Sequence, residues 1–195
     1  MRRLIIGLFL FFVQFSFGQT FESDTISYKE SFLNLNDKVL KKEIALFSVK
    51  AAALKKTDSL SVNELIPIPV HNCTEKEVHL YISQFFGPLG TYIHLYFKGQ
   101  TSVKELDSIF LVTHSHFQVK FPKSTYQGLY RTYDCDFKNN GKKSAFFSPY
   151  YKAFYSKDKR RLYIYMQGET KYGKCEVTWV IVDDKYYTRI LDNIP

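Results

Sequence analysis

Between Arg161 and Leu191 the chain repeats one pattern three times: short runs in which apolar residues alternate with polar or aromatic ones, each ended by a turn former. In Arg161 to Gln167, Leu162, Ile164 and Met166 share one side and Arg161, Tyr163 and Tyr165 the other. In Cys175 to Val182, Cys175, Val177, Trp179 and Ile181 share a side, and Tyr186 to Leu191 follows. Successive side chains of a strand point to opposite faces, so a period of two places one face of each run in a core. Gly168 and Gly173 separate the first two runs and Asp183-Asp184-Lys185 the last two, which predicts consecutive antiparallel hairpins.

The front of the chain reads differently. Arg2 and Arg3 precede the apolar run Leu4 to Val13, and Ser16-Phe17-Gly18 has the small-bulky-small form of a cleavage site. The run is too short for a bilayer, which takes roughly 20 residues, so residues 1–18 are expected to be a secretory signal peptide cut near Gly18/Gln19. No second run of spanning length follows, and the mature chain is expected to be secreted or periplasmic without a transmembrane segment. Residues 19–195 are expected to form one domain, helical over 27–57 and sheet-rich over 64–192.

The helical expectation rests on the capping box Ser27-Tyr-Lys-Glu30 and on Phe32, Leu33, Leu40, Ile44, Phe47, Ala51 and Leu54 recurring near every 3.6 residues. A break is expected between Asn34 and Asp37, whose side chains compete with helix hydrogen bonds. Leu65 to Val70, with two prolines, must be extended at a sheet edge. Val78 to Ser83 and Tyr92 to Phe97 read as strands, and Ser102-Val-Lys-Glu105 as the start of a short helix. The expected fold class is therefore α+β, with N-terminal helices packed on a curved, mostly antiparallel β-sheet.

Three cysteines, Cys73, Cys135 and Cys175, allow one disulfide in an oxidising compartment. Cys175 lies on the apolar face of its strand and Cys73 and Cys135 in polar, turn-like surroundings, so the expected bridge joins Cys73 to Cys135. His114-Ser115-His116 is the best metal candidate, since strand geometry would put both rings on one face, but no carboxylate or cysteine at ligand spacing accompanies them and no cofactor is expected. Neither a Gly-x-Ser-x-Gly elbow nor a His-Glu-x-x-His helix occurs.

Charge points to a binding function. The chain carries 27 Lys and Arg against 19 Asp and Glu, a net +8. Cleavage after Gly18 removes two arginines and leaves 25 minus 19, or +6. From Lys138 to Arg161 eight cations face only Asp158, a local +7, so the rest of the mature chain sums to −1. Aromatic residues from Phe146 to Tyr165 interleave with these cations, and cations beside π-faces suit a ligand with negative charge and flat apolar faces. Tyr92, His94 and Tyr96 share a face of another strand. The expected ligand-binding residues are Tyr92, His94, Tyr96, Lys152, Lys159, Arg160, Arg161, Tyr163 and Tyr165. The expected function is a non-catalytic binding protein for an anionic or carbohydrate ligand, such as an anionic polysaccharide, an envelope surface or an acidic protein; export argues against nucleic acid. Two alternatives remain: an extracytoplasmic hydrolase drawing on Glu75, Glu77, Asp134, Asp136, Asp183 or Asp184, and a module docking a partner protein.

Overall fold

The computed structural model describes residues 31–54, 65–83, 90–99, 103–131 and 148–195. Two short helices, α1 (Lys38–Ile44) and α2 (Val49–Leu54), precede eleven strands among these residues. The strands are β1 (Leu65–Ile68), β2 (Val70–Cys73), β3 (Glu77–Ser83), β4 (Gly90–Lys98), β5 (Lys104–Val112), β6 (Gln118–Val119), β7 (Tyr130–Arg131), β8 (Tyr151–Ser156), β9 (Arg161–Thr170), β10 (Gly173–Val182) and β11 (Lys185–Asn193). All belong to one antiparallel sheet in the order β1-β8-β9-β7-β5-β4-β3-β2, with β10 and β11 added beyond β9 and β6 beside β5.

The α+β expectation is overturned. Strand takes 55% of the described residues and helix 15%, and the sheet curls into a nearly closed barrel. The reason lies in the connection at Pro69. β1 pairs with β8 and β2 with β3, so one extended run, bent at a proline, stands at both ends of the pairing path. The Pro69 carbonyl accepts a hydrogen bond from Tyr81 N at 3.1 Å across the bend. On the far side, β9 approaches β7 at Gly168, where a Cβ would collide with the Tyr130 carbonyl oxygen.

The C-terminal runs form the hairpins their alternation implies. Asp183 and Asp184 both have positive φ (47° and 61°), as a two-residue hairpin turn with the right twist demands. The inward residues of β9 and β10, Leu162, Ile164, Met166, Val177, Trp179 and Ile181, meet Leu80, Ile93, Leu95 and Leu111 in the barrel interior. The Trp179 ring is fully buried and donates Nε1 to the Thr125 carbonyl at 2.9 Å, so its polar atom is satisfied.

Two local helix signals yield to the sheet. The capping box at 102–105 starts no helix: from Lys104 the chain is β5, because Leu106, Ile109 and Leu111 fill the interior opposite β4. Barrel burial outweighs a local cap of about 1 kcal/mol. At the front, the described part of the expected helix splits into a 3₁₀ turn at Phe32–Asn34, α1 and α2. The break falls at Asn34 to Asp37, and Asp37 caps α1 by accepting from Val39 N and Leu40 N. Residues 27–30 and 55–64 lie outside the described residues.

The helices do cover a sheet face, the outer side of β9, β10 and β11 with Leu65 of β1 and Phe154 of β8 at its margin. There Phe32, Leu40, Ile44, Phe47 and Ala51 pack on Tyr163, Tyr165, Val180 and Ile190 as a second core. Three acidic side chains, each almost fully buried, fasten this layer. Asp192 accepts from Ser31 Oγ (2.6 Å) and Phe32 N (2.9 Å). Glu176 accepts from the Ser48 hydroxyl, from Val49 N (2.8 Å) and from Lys50 N (3.1 Å), which satisfies the open end of α2. Glu43, from α1, reaches down to Arg161 and Tyr163. No helix among the described residues is long and apolar enough to cross a membrane.

Candidate functional site

The outward faces of β2 to β5 carry an array of rings that register explains. β3 and β4 pair Glu77 with Tyr96, His79 with His94 and Tyr81 with Tyr92, and β4 and β5 pair Tyr96 with Ser108, His94 with Phe110 and Tyr92 with Val112. The opposite face of the same strands, Val78, Leu80, Ile93 and Leu95, is core. Pairing therefore lines up a cross-strand row of His79, His94 and Phe110, flanked by a row of Tyr81, Tyr92 and Val112 and a row of Glu77, Tyr96 and Ser108.

These rings touch. His79 and His94 stack with centroids 4.0 Å apart and planes 15° from parallel, and Tyr81 stacks on Tyr92 at 4.5 Å. Tyr96 lies parallel to His94 at 5.6 Å, Phe110 meets His94 edge-on at 6.0 Å, and His71 of β2 meets Tyr81 edge-on at 5.2 Å. Tyr96 and Phe110 are each 37% exposed, so the array is open at that side. Asn72 Nδ2 donates to Glu77 Oε1 at 3.1 Å, which sets an amide and a carboxylate at its edge.

Burial biases His79 and His94 towards the neutral ring. Burial lowers the His79 pKa to about 4, helped by the charges His94 and His71 would carry and opposed by Glu77. Burial also lowers that of His94, again opposed by Glu77. Two imidazolium charges stacked this closely would repel by about 1 to 4 kcal/mol between bulk-water and near-surface dielectrics. His79 Nε2 and His94 Nδ1 are buried with no hydrogen-bond partner among the described residues. A hydrogen bond with Tyr81 raises the Tyr92 hydroxyl.

The second half of the expected ligand surface lies elsewhere. Tyr163 and Tyr165 are fully buried beneath the helical layer. Tyr163 donates its hydroxyl to Glu43, and Tyr165 donates to Glu176 at 2.9 Å and accepts from Gln167 Nε2 at 2.9 Å. Both phenols are pushed up, first by burial and then by the neighbouring carboxylate. Arg161 forms a two-bond pair with Glu43 (2.8 and 2.9 Å) and also meets Asp158 at 3.3 Å. Arg160 pairs with Asp183 through two bonds of 2.9 and 2.7 Å. Lys152 places its ammonium 4.9 Å from the Tyr165 ring centroid and 3.4 Å from the Phe47 carbonyl, and burial lowers its pKa. Lys159, exposed with φ 58° in the β8–β9 turn, stands apart from these contacts. Lys138, Lys142 and Lys143 lie outside the described residues. The structure thus brings Tyr92, His94 and Tyr96 together on an open face and draws Lys152, Arg161, Tyr163 and Tyr165 into the contact between helices and sheet.

Sequence reasoning missed His71, His79, Tyr81 and Phe110. Alternation within β3 and β5 carries the signal, but only the pairing register shows that these faces adjoin that of β4. His114 and His116, expected on one strand face, lie in the turn between β5 and β6, where His116 adopts φ 62°. His114 Nδ1 is 3.3 Å from the Tyr155 hydroxyl, which contacts Thr91 Oγ1 at 2.9 Å. No group of three or more His, Cys, Asp or Glu suited to a metal occurs among the described residues. Of the acids considered for hydrolysis, Glu75 pairs with Lys104 at 2.7 Å, Glu77 with Asn72 and Asp183 with Arg160. Cys73 is disulfide-bonded and Cys175 is a buried free thiol, while Cys135, like Asp134 and Asp136, lies outside the described residues. No protein-family model, no curated protein and no solved structure matches this chain.

Proposed function

We propose that this is an exported, non-catalytic binding protein whose ligand is a neutral saccharide held on the outer aromatic face of β2 to β5. The observation that carries this reading is the row His79, His94 and Phe110, with Tyr96 beside it, displayed in register on one open face. Aromatic rings supply the apolar contact that a sugar's C–H faces need, and phenols, imidazoles, Asn72 and Glu77 supply donors and acceptors at the edge. Burial disfavours a charge on His79 and His94, and Glu77 is the acid at the edge, which suits an uncharged ligand better than an anionic one. Two of the described cations of the basic segment support this choice, since Arg160 and Arg161 are already matched by Asp183 and Glu43.

Affinity electrophoresis through laminarin, xylan, mannan and dextran tests the reading. At least one should retard the protein at moderate salt. Replacing Tyr96 and Phe110 together by Ala should weaken that retardation about tenfold, as expected for two exposed ring contacts of about 0.5 to 1.5 kcal/mol each. Free migration through all four, or retention only on heparin that salt abolishes, would overturn it.

A further inference from the structure

A hollow of about 510 Å³ is walled on one side by the chain through β6 and on the other by the β10–β11 turn and the start of β11. Val119, Pro122 and Tyr186 give it an apolar lining. Phe117 lines it too, yet is 62% exposed. The turn that carries this ring is fixed, since Thr113 N donates to the Phe117 carbonyl at 3.0 Å and His116 N to the Thr113 carbonyl at 2.9 Å. Tyr187, next to Tyr186, is 59% exposed, so the two most exposed large apolar side chains of the described residues belong to the two segments that wall one hollow. Both walls are also sheet edges: among the described residues β6 pairs only with β5 and β11 only with β10. A register shift at Val180/Ile181 leaves Tyr187 without an opposite residue, and a bulge of this kind bends an edge away from strand addition, so a partner here is met by side chains.

We propose that this hollow is the contact of a two-fold homodimer in which Phe117 of each copy enters the hollow of the other. Exposed rings beside an apolar hollow mark a protein contact, and an isologous contact needs the same patch to supply both the projecting ring and the socket. Charge selects a second copy over other occupants. Asp183 is held by Arg160, whereas Lys120, Asp184 and Lys185 form no ion pair among the described residues. An anionic or a cationic ligand would meet like charge in this mixed set. A two-fold axis running along the hollow sets each wall opposite the other wall of the partner, so Lys120 of one copy faces the partner's Asp184 and the pair forms twice. One small hollow per copy places the contact at the low end of interface sizes, below about 1,200 Å² in total, and the dimer is correspondingly weak.

Sedimentation velocity of the full-length protein, run from about 5 μM to about 1 mM, tests the assignment. The mass should rise from one chain to two with a Kd of about 0.1 mM. Phe117→Ser, at an exposed position, should weaken association at least about tenfold, since it removes two buried rings per dimer. Lys120→Glu and Asp184→Lys should each weaken it several-fold, because like charges then oppose one another. An equimolar mixture of these two variants should associate as tightly as the parent, because the mixed dimer regains both ion pairs. Native Trp179 fluorescence shows that each variant is folded; if Asp184→Lys disturbs its turn, Phe117→Ser and Lys120→Glu decide. A single-chain mass throughout, an association that Phe117→Ser leaves unchanged, or a mixture of folded variants no tighter than either alone would overturn the proposal. None of these residues belongs to the outer aromatic face, so failure here leaves the saccharide reading untouched, and the reverse holds.

Discussion

Arg161 and Tyr163 look like ligand-facing residues in the sequence and sit in a closed ion pair in the structure, so removing their partner should damage stability rather than binding. In Glu43→Ala, Tyr163 loses the acceptor of a fully buried hydroxyl, a loss of about 1 to 3 kcal/mol. Arg161 loses both bonds to the carboxylate but keeps Asp158 at 3.3 Å and some solvent, so its share falls below the about 3 to 5 kcal/mol seen when a buried pair is broken. A destabilisation of about 3 kcal/mol results, which for an m-value of about 2 kcal/mol/M lowers the urea midpoint by about 1.5 M. The triple variant Glu43→Ala, Arg161→Met, Tyr163→Phe removes every polar member at once and should recover most of that loss, to within about 1 kcal/mol of the parent. Tryptophan fluorescence of Trp179 reports the transition, since that ring is fully buried. A Glu43→Ala effect under about 0.5 kcal/mol, or a triple variant less stable than Glu43→Ala, would refute the reasoning.

Two further outcomes follow from the titrating groups. His79 has its pKa lowered to about 4 when folded and near its ordinary value when unfolded, so the unfolded chain binds the extra proton as pH falls between them. Its contribution is therefore full above about pH 6.5 and is lost as pH drops towards 4; solvent screening of a half-buried ring limits it to about 1 to 2 kcal/mol. Urea midpoints measured across that window should slope more steeply for the parent than for His79→Gln, and parallel slopes would count against the stacked pair. Cys175, with its thiol pushed up to about 12 by burial, should resist Ellman's reagent in the native state at pH 8 and react once denatured; rapid native labelling would contradict its place in the core.

The sequence-based reading succeeds where local pattern and tertiary demand coincide. β9, β10 and β11 follow from alternation and turn chemistry alone, because hairpins pair neighbours in sequence. The α+β expectation fails where closure depends on distant pairings. Nothing near Pro69 reveals that one side of the bend joins β8 and the other β3, and without that closure a helical layer on a sheet is the natural inference. The candidate site divides along the same line. Tyr92, His94 and Tyr96 are legible because they share one strand, whereas His79 and Phe110 join them only through register. Tyr163 and Tyr165 satisfy the same alternation rule and are buried, since periodicity shows which residues share a face and not what lies over it.

The bend at Pro69 also sets the order in which the molecule can assemble. Hairpins β9–β10 and β10–β11 close over turns of two residues, whereas β1 must find β8 roughly 90 residues away, at an entropic cost of about 4 kcal/mol for loop closure. Local hairpins form in microseconds, while topologies dominated by distant pairings fold in milliseconds to seconds. The C-terminal meander is thus the natural nucleus and the β1–β8 seam the last contact made. As the chain is made, β2 to β5 can pair with one another at once, whereas β1 alone of these strands must wait for residues 151–156 before its edge is covered.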